Sequence, residues 1–338
     1  MINKYHSKHY ILWFSCIILA CLFVSCQKQN QDNSQVVYRL KWLLNSGAAG
    51  SLFAHANGYF NAQGLNVSIR AGGVERNAIT EIEMGRAQFG VATGDQIIRA
   101  LEKGSPICVL AQLFQKSPMC WMYYKNRNNI QSLNDLKGKT IGITFGNEDE
   151  TIMRSILKKA GIHVNEVKFY SVRYDYTPFY TGKVDLWPVY RNSNGIVIQE
   201  KLASANEKIA FFSPHDNGIH FVGNSIITSQ KIVAQKPDLI CKFRNAILKG
   251  WTAALDSKNL VQSVEIIHSF DEATDPKLIE KQVISSRTLM KASDNLPLGT
   301  INTSDWKQTE RFLLDQKILA TPVISTGKNI FFKGICNE

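Results

Sequence analysis

The stretch from Asn134 to Val172, NDLKGKTIGITFGNEDETIMRSILKKAGIHVNEVKFYSV, reads as one complete strand, helix and strand unit. Asn134 to Lys139 is a polar turn that feeds the apolar run Thr140 to Thr144, a strand with little polar surface to show. Gly146 to Glu150 then supplies small and acidic residues, the composition of a helix start. The helix Thr151 to Ala160 stops at Gly161, since glycine tolerates the left-handed conformation that ends helices. Val167 to Val172 is the next strand. Two strands separated by a helix pair in parallel, so the unit points to an α/β fold with a mainly parallel sheet.

The same alternation extends in both directions. Upstream, Tyr38, Leu40 and Trp42 alternate with Arg39 and Lys41 in a first strand that buries one face. Ala48 to Gln63 reads as a helix closed by Gly64, followed by a strand at Val67 to Arg70 and a helix at Asn77 to Gly85. A strand at Phe89 to Ala92 and a helix at Asp95 to Lys103 come next. Downstream, Val184 to Tyr190 is a further strand, and beyond residue 221 the chain turns helical at Lys236 to Leu255, Leu260 to Phe270, Pro276 to Lys291 and Thr303 to Asp315. Because the pattern begins afresh after residue 126, a second domain is expected at 126–220. It would be inserted into a first domain made of 36–125 and 221–338.

The first residues carry no fold information. Lys4 and Lys8, without any acid, precede the apolar stretch Tyr10 to Val24, which has the length of a signal peptide and falls short of a spanning helix. It ends in Phe23-Val24-Ser25-Cys26, which resembles the lipobox of bacterial lipoproteins, with Phe23 in place of the usual Leu. Residues 1–25 are therefore expected to be removed and Cys26 to be lipidated, with the polar segment 26–35 as a tether. Composition adds exclusions: with 44% hydrophobic and 20% charged residues, the chain is neither disordered nor a disulfide scaffold. Its formal charge of +11 is scattered singly or in pairs, without the clustering that nucleic acid requires. Cys108, Cys120, Cys241 and Cys336 have no metal-ligand spacing, and a disulfide among them is open. No metal, cofactor or catalytic motif is read.

The segment from Lys41 to about Asp256 resembles the substrate-binding proteins of bacterial ABC transporters, in the group that handles nitrate, sulfonates, taurine and thiamine-pyrimidine precursors. The matching pieces occur in order: Trp42-Leu43-Leu44-Asn45, Gly58-Tyr59-Phe60, Gly64-Leu65-Asn66-Val67, Phe114-Gln115-Lys116-Ser117-Pro118, Asp135-Leu136-Lys137-Gly138-Lys139, Tyr174 to Asp185 (YDYTPFYTGKVD), and Lys236-Pro237-Asp238-Leu239 leading to Lys249-Gly250-Trp251. The resemblance implies a type II periplasmic-binding-protein-like clamp, two α/β lobes joined by crossing strands and closing on a small molecule. It further implies an exported monomer that hands its ligand to permease and ATPase subunits, is held to the membrane by the lipid, and binds no nucleic acid.

In open α/β sheets, ligands sit beyond the carboxyl ends of strands, near helix N-termini. Four loops qualify. The first runs from Trp42 through Asn45 to Gly50, with a small-residue run that lets backbone come close; Trp42 is equally readable as core. In the second, Thr93-Gly94-Asp95, Asp95 reads as a helix cap. The third opens at Gly146 with Asn147, where Glu148 and Asp149 read as acids balancing the helix dipole. The fourth gathers Tyr174, Asp175, Trp187, Tyr190, Asn192 and Asn194, rings flanked by directional polar groups, with Tyr176 and Phe179 read as core. The resemblance adds Gln115.

Two departures bear on the ligand. Thiamine-precursor relatives have a His where this chain has Ala48, and Asn-Glu-Pro where it has Ser193-Asn194-Gly195. A thiamine-pyrimidine precursor, riboflavin or a similar heteroaromatic is expected, with a sulfonate or nitrate ligand as the alternative. An enzyme of thiamine-pyrimidine synthesis on this fold is the rival class, but the His and the cysteine-rich run of those relatives are missing.

Overall fold

Ten strands assemble into two sheets of matching plan. The computed structural model describes residues 35–336 apart from 74, 174, 292–294, 328 and 335. The expected signal peptide, Cys26 and Tyr174 lie outside the described residues. Gln35–Glu338 form one compact unit.

The first sheet has the order β2-β1-β3-β10-β4, with β1 Val36–Arg39, β2 Val67–Arg70, β3 Phe89–Thr93, β4 Ile107–Gln112 and β10 Asn224–Ser229. β1 runs parallel to β2 and β3, while β10 runs antiparallel to β3 and β4. In the second sheet, β5 Met119–Tyr124 lies between β8 Trp187–Tyr190 and β9 Ile209–Phe212, antiparallel to both. The parallel pair β6 Thr140–Ile143 and β7 Lys168–Ser171 joins it through the Ile141 and Leu186 bridge and a 2.8 Å bond from Gly142 N to Leu186 O. The resulting order, β7-β6-β8-β5-β9, repeats that of the first sheet. In both, the one antiparallel inner strand follows or precedes a crossing between lobes. The fold is a bilobal α/β clamp.

Helices cover both faces of each sheet because the strands are apolar on both sides. On one face of the first sheet lie α1 Ala49–Ala56, α2 Tyr59–Ala62, α9 Pro237–Ala254, α10 Leu260–His268 and α11 Pro276–Met290. On the other lie α3 Ala78–Glu83, α4 Gly94–Glu102 and α12 Thr303–Asp315, with Trp306 fully buried. The second sheet is flanked by α5 Glu148–Ala160 on one side and by α6 Thr177–Tyr180 and α7 Asn194–Ala203 on the other. The short α8 Gln230–Gln235 leads into α9. Cys241 on α9 is disulfide-bonded to Cys336 near the chain end. Cys108 and Cys120 are free and buried, and burial pushes each thiol up to about 12.

Three local expectations are corrected. The first strand ends at Arg39, before the alternation does, and Trp42 stands in a bend with 43% of its surface exposed. The expected helix Ala48 to Gln63 is two helices, since Gly58 takes φ +67 between α1 and α2. Sheet membership places β5 in the second lobe, although the sequence puts the boundary at 126. The link between β4 and β5 sets the polar Gln115-Lys116-Ser117 between the buried Leu113, Phe114 and Pro118. Among the described residues no helix is long and apolar enough to cross a membrane.

Candidate ligand-binding site

The carboxyl ends of β1 and β3 in one lobe face those of β6 and β8 in the other, and the side chains there join across the gap. Lys41, just past β1, sets its Nζ 2.7 Å from the hydroxyl of Tyr190 at the end of β8. That hydroxyl donates to Glu148 Oε2 at 2.9 Å, and Lys41 Nζ reaches the same oxygen at 3.4 Å. Beside this triad, Arg99 on α4 pairs with Asp95 at 3.0 Å and donates across the gap to Gly146 O at 3.4 Å. Asp95 Oδ1 is buried without a partner, so one acceptor is left unused in the cleft wall. Burial pushes the Glu148 carboxyl up; Lys41 pulls it back and Asp95 adds to the rise. Burial and then the Glu148 charge hold the Tyr190 phenol well above its usual range.

Local sequence explains the placement. Gly146, at φ +83, turns the chain so that Asn147 can cap α5 and Glu148 falls in its first turn. Asp149 lies in the first turn, where the sequence reads it as an acid balancing the helix dipole, and it also folds back to accept from Thr144 N at 2.6 Å. Glu148, read in the same way, also serves the lobe contact. Asp95 is not the cap of α4. Thr93 holds that position and Asp95 lies in the first turn, facing Arg99.

The expected site residues divide. Trp42, Asn45 and Asn147 lie on the facing loops, and Tyr190 is the last residue of β8. Asn45 accepts from Gly47 N at 3.0 Å and caps the short helix Ser46–Ala48, and Asn147 is exposed with no side-chain cap bond. Asn194 holds the triad in place, accepting from Tyr190 N at 2.8 Å and donating to the Tyr176 hydroxyl at 3.0 Å. Asn192 is buried and donates to Ser286 Oγ on α11 at 2.8 Å, a second tie between the lobes.

Others are turned away. Trp187 is 1% exposed and packs against Tyr176 and Phe179, so it offers no stacking face and belongs to the core that those two rings were expected to form. Gly50 faces Trp251 rather than the cleft, and a Cβ there would come within 2.2 Å of the indole. Gln115 is buried and donates to Thr300 O at 2.8 Å. Asp175 is exposed and accepts from Thr177 N at 2.9 Å, and Thr177 holds its carboxyl below the usual range. Lys41 and Arg99 were not anticipated: Lys41 occupies the polar phase of a strand alternation, and Arg99 lies mid-helix. No group of three or more His, Cys, Asp or Glu among the described residues is arranged to hold a metal ion.

Residues 45–259, which include Asp95, Arg99, Glu148 and Tyr190 of the cleft but not Lys41 or Trp42, match the NMT1/THI5-like family. The chain belongs to that family. This NMT1/THI5-like chain is 24% identical over 304 residues to the riboflavin-binding protein RibY of Chloroflexus aurantiacus, covering 86% of this chain and 83% of the relative. It is 23% identical over 319 residues to a formylaminopyrimidine-binding protein of Halalkalibacterium halodurans, covering 91% and 95%. Among solved structures, the periplasmic aliphatic sulphonate-binding protein SsuA of Escherichia coli superposes with a TM-score of 0.68 at 13% identity, covering 90% of this chain and 94% of that one. At that identity the likeness concerns the fold alone, the periplasmic-binding-protein clamp.

Proposed function

We propose that this chain is the exported, lipid-anchored substrate-binding component of an ABC importer, and that it captures a small, neutral heteroaromatic molecule between its lobes. It acts by binding and not by catalysis, and it hands its ligand to permease and ATPase subunits. The observation that carries this reading is the Lys41, Tyr190 and Glu148 contact, which joins the strand-end loops of the two lobes where a clamp would close. The charges there cancel: Lys41 and Arg99 stand against Glu148 and Asp95. A cleft that neutralises its own cations is a poor match for a sulfonate or nitrate, which would need an unpaired one. An exposed Trp42 and the amides of Asn45 and Asn147 suit a flat ring with a polar edge. The names of the riboflavin and formylaminopyrimidine relatives support the same class. The Cys241 and Cys336 disulfide supports an oxidising compartment, as export requires.

A thermal-shift screen of the full chain in detergent against riboflavin, formylaminopyrimidine, an alkanesulfonate and nitrate tests the reading. A ligand at 100 times its Kd should stabilise by about 2.7 kcal/mol. A shift with a flavin or pyrimidine is expected. A shift with only the sulfonate or nitrate, or with none of the four, would overturn it.

A further inference from the structure

A second cavity, of about 190 Å³, opens at the hinge and shares no residue with the cleft triad. Its lining includes Lys116 from the first crossing, Ser213 and His215 from the second, Arg191 from the loop after β8, and Ser285 on α11. Every connection between the lobes therefore contributes to one wall or another. Lys116 and Arg191 bring two basic side chains to the lining, and among the described residues neither has a carboxylate at ion-pair distance. Arg191 rests over the Phe211 ring at 5.4 Å, which positions the guanidinium without neutralising it. Asp216, exposed at the rim, is the single opposing charge in the lining.

The hydroxyls are also arranged to give. Ser117 Oγ accepts from Met119 N at 3.3 Å and Ser213 Oγ accepts from Asp216 N at 3.4 Å, so each has its own proton to donate. Among the described residues the Ser285 hydroxyl makes no hydrogen bond of its own, while Thr288 spends its proton on Ser285 O at 2.9 Å. His215 faces His220 through its Nδ1 at 3.0 Å, which leaves Nε2 for the cavity. Two cations and three free hydroxyl donors against one rim carboxylate make a donor-rich, positively biased pocket, and its natural complement is a compact acceptor-rich anion.

We propose that this hinge cavity is a second binding site, for a small oxyanion of the phosphate, sulfate or carboxylate type, and that its occupancy favours the closed arrangement of the lobes. A ligand held at once by Arg191 of the second lobe, Lys116 of the crossing and Ser285 of the first lobe has full contact in only one relative placement of those elements. Differential affinity of that kind is what shifts a conformational equilibrium. The site differs in chemistry from the main cleft and does not depend on what that cleft carries.

Inorganic phosphate is the probe. Titrated into the full chain at constant ionic strength and pH 7, it should give a saturable rise in melting temperature and a smaller radius of gyration by small-angle scattering. The Lys116→Gln Arg191→Gln double variant should weaken phosphate about tenfold or more, and Ser285→Ala, which keeps all charges, by a few-fold. Lys103→Gln, which removes one exposed charge at the end of α4 away from both the cavity and the cleft triad, should leave the phosphate response intact. A response that does not saturate, that is equal in wild type and in both hinge variants, or that leaves the radius of gyration unchanged would overturn the proposal. Should the double variant fail to fold, Ser285→Ala and Lys103→Gln decide the matter by the contrast between them.

Discussion

Asp149 shows how burial at one residue becomes a pH dependence of the whole. Its carboxyl is buried at the start of α5, and that burial pushes its pKa from 3.8 up to about 6 despite the bond from Thr144 N. A carboxyl whose folded value is raised binds its proton more tightly in the native state. Its contribution is full below about pH 4 and is lost as pH rises through 6. Asp149→Asn retains an acceptor for Thr144 N but does not titrate. Urea melts at pH 4, 5, 6 and 7 should show the wild type losing on the order of 2 kcal/mol relative to this variant across that window; a constant difference would dismiss the argument. At this scale the sequence was half informative. Tyr190 and Asn194 could be found because a ring beside amides at a strand end is an uncommon composition. Trp187 carries the same signal, yet burial and orientation, set by strand parity, turn it into the core. Lys41 could not be found, since a lysine in the polar phase of a strand looks the same whether it faces water or another lobe.

At the scale of elements, α1 and α9 meet through two glycines. A Cβ on Gly50 would lie 2.2 Å from the Trp251 indole, and one on Gly250 would lie 2.4 Å from Gly50 O. Neither atom can retreat without moving a helix. Gly50→Ala is therefore expected to cost about 1–3 kcal/mol or more through overpacking, read as a lowered urea midpoint with an unchanged slope. An unaltered midpoint would mean the helices can part freely. The run Ser46 to Gly50 was read from sequence as a place where backbone comes close to something, and it is; the partner is a helix more than two hundred residues' worth of chain later rather than a ligand. Local pattern identifies the need for a small residue but not what presses against it. Strands and helices of strong period were legible for the same reason that β5's lobe was not: periodicity reports which face of an element is apolar, not which sheet the element joins.

At the scale of the molecule, the alternation of strands and helices was enough to read two α/β lobes. The sheet order follows from long-range pairing and left no trace in local composition. The lipobox resemblance makes its own prediction: Cys26→Ser should release the protein from membranes or block its processing. Membrane fractionation and acyl labelling that stay as in the wild type would rule the anchor out. One architectural feature also constrains how the chain matures. The second sheet is built from the continuous stretch Met119–Phe212, whereas the first is incomplete until β10, Asn224–Ser229, slots between β3 and β4. A chain emerging N-terminus first must leave its leading lobe unfinished, with strand edges exposed, while the trailing one can already settle. Chains stopped after His220 should thus yield a protease-resistant fragment spanning 119–212, with 36–112 digested; protection of 36–112 instead would reverse that order. The part made first would be the last to become native, so a holding chaperone would have its longest task at the N-terminal lobe.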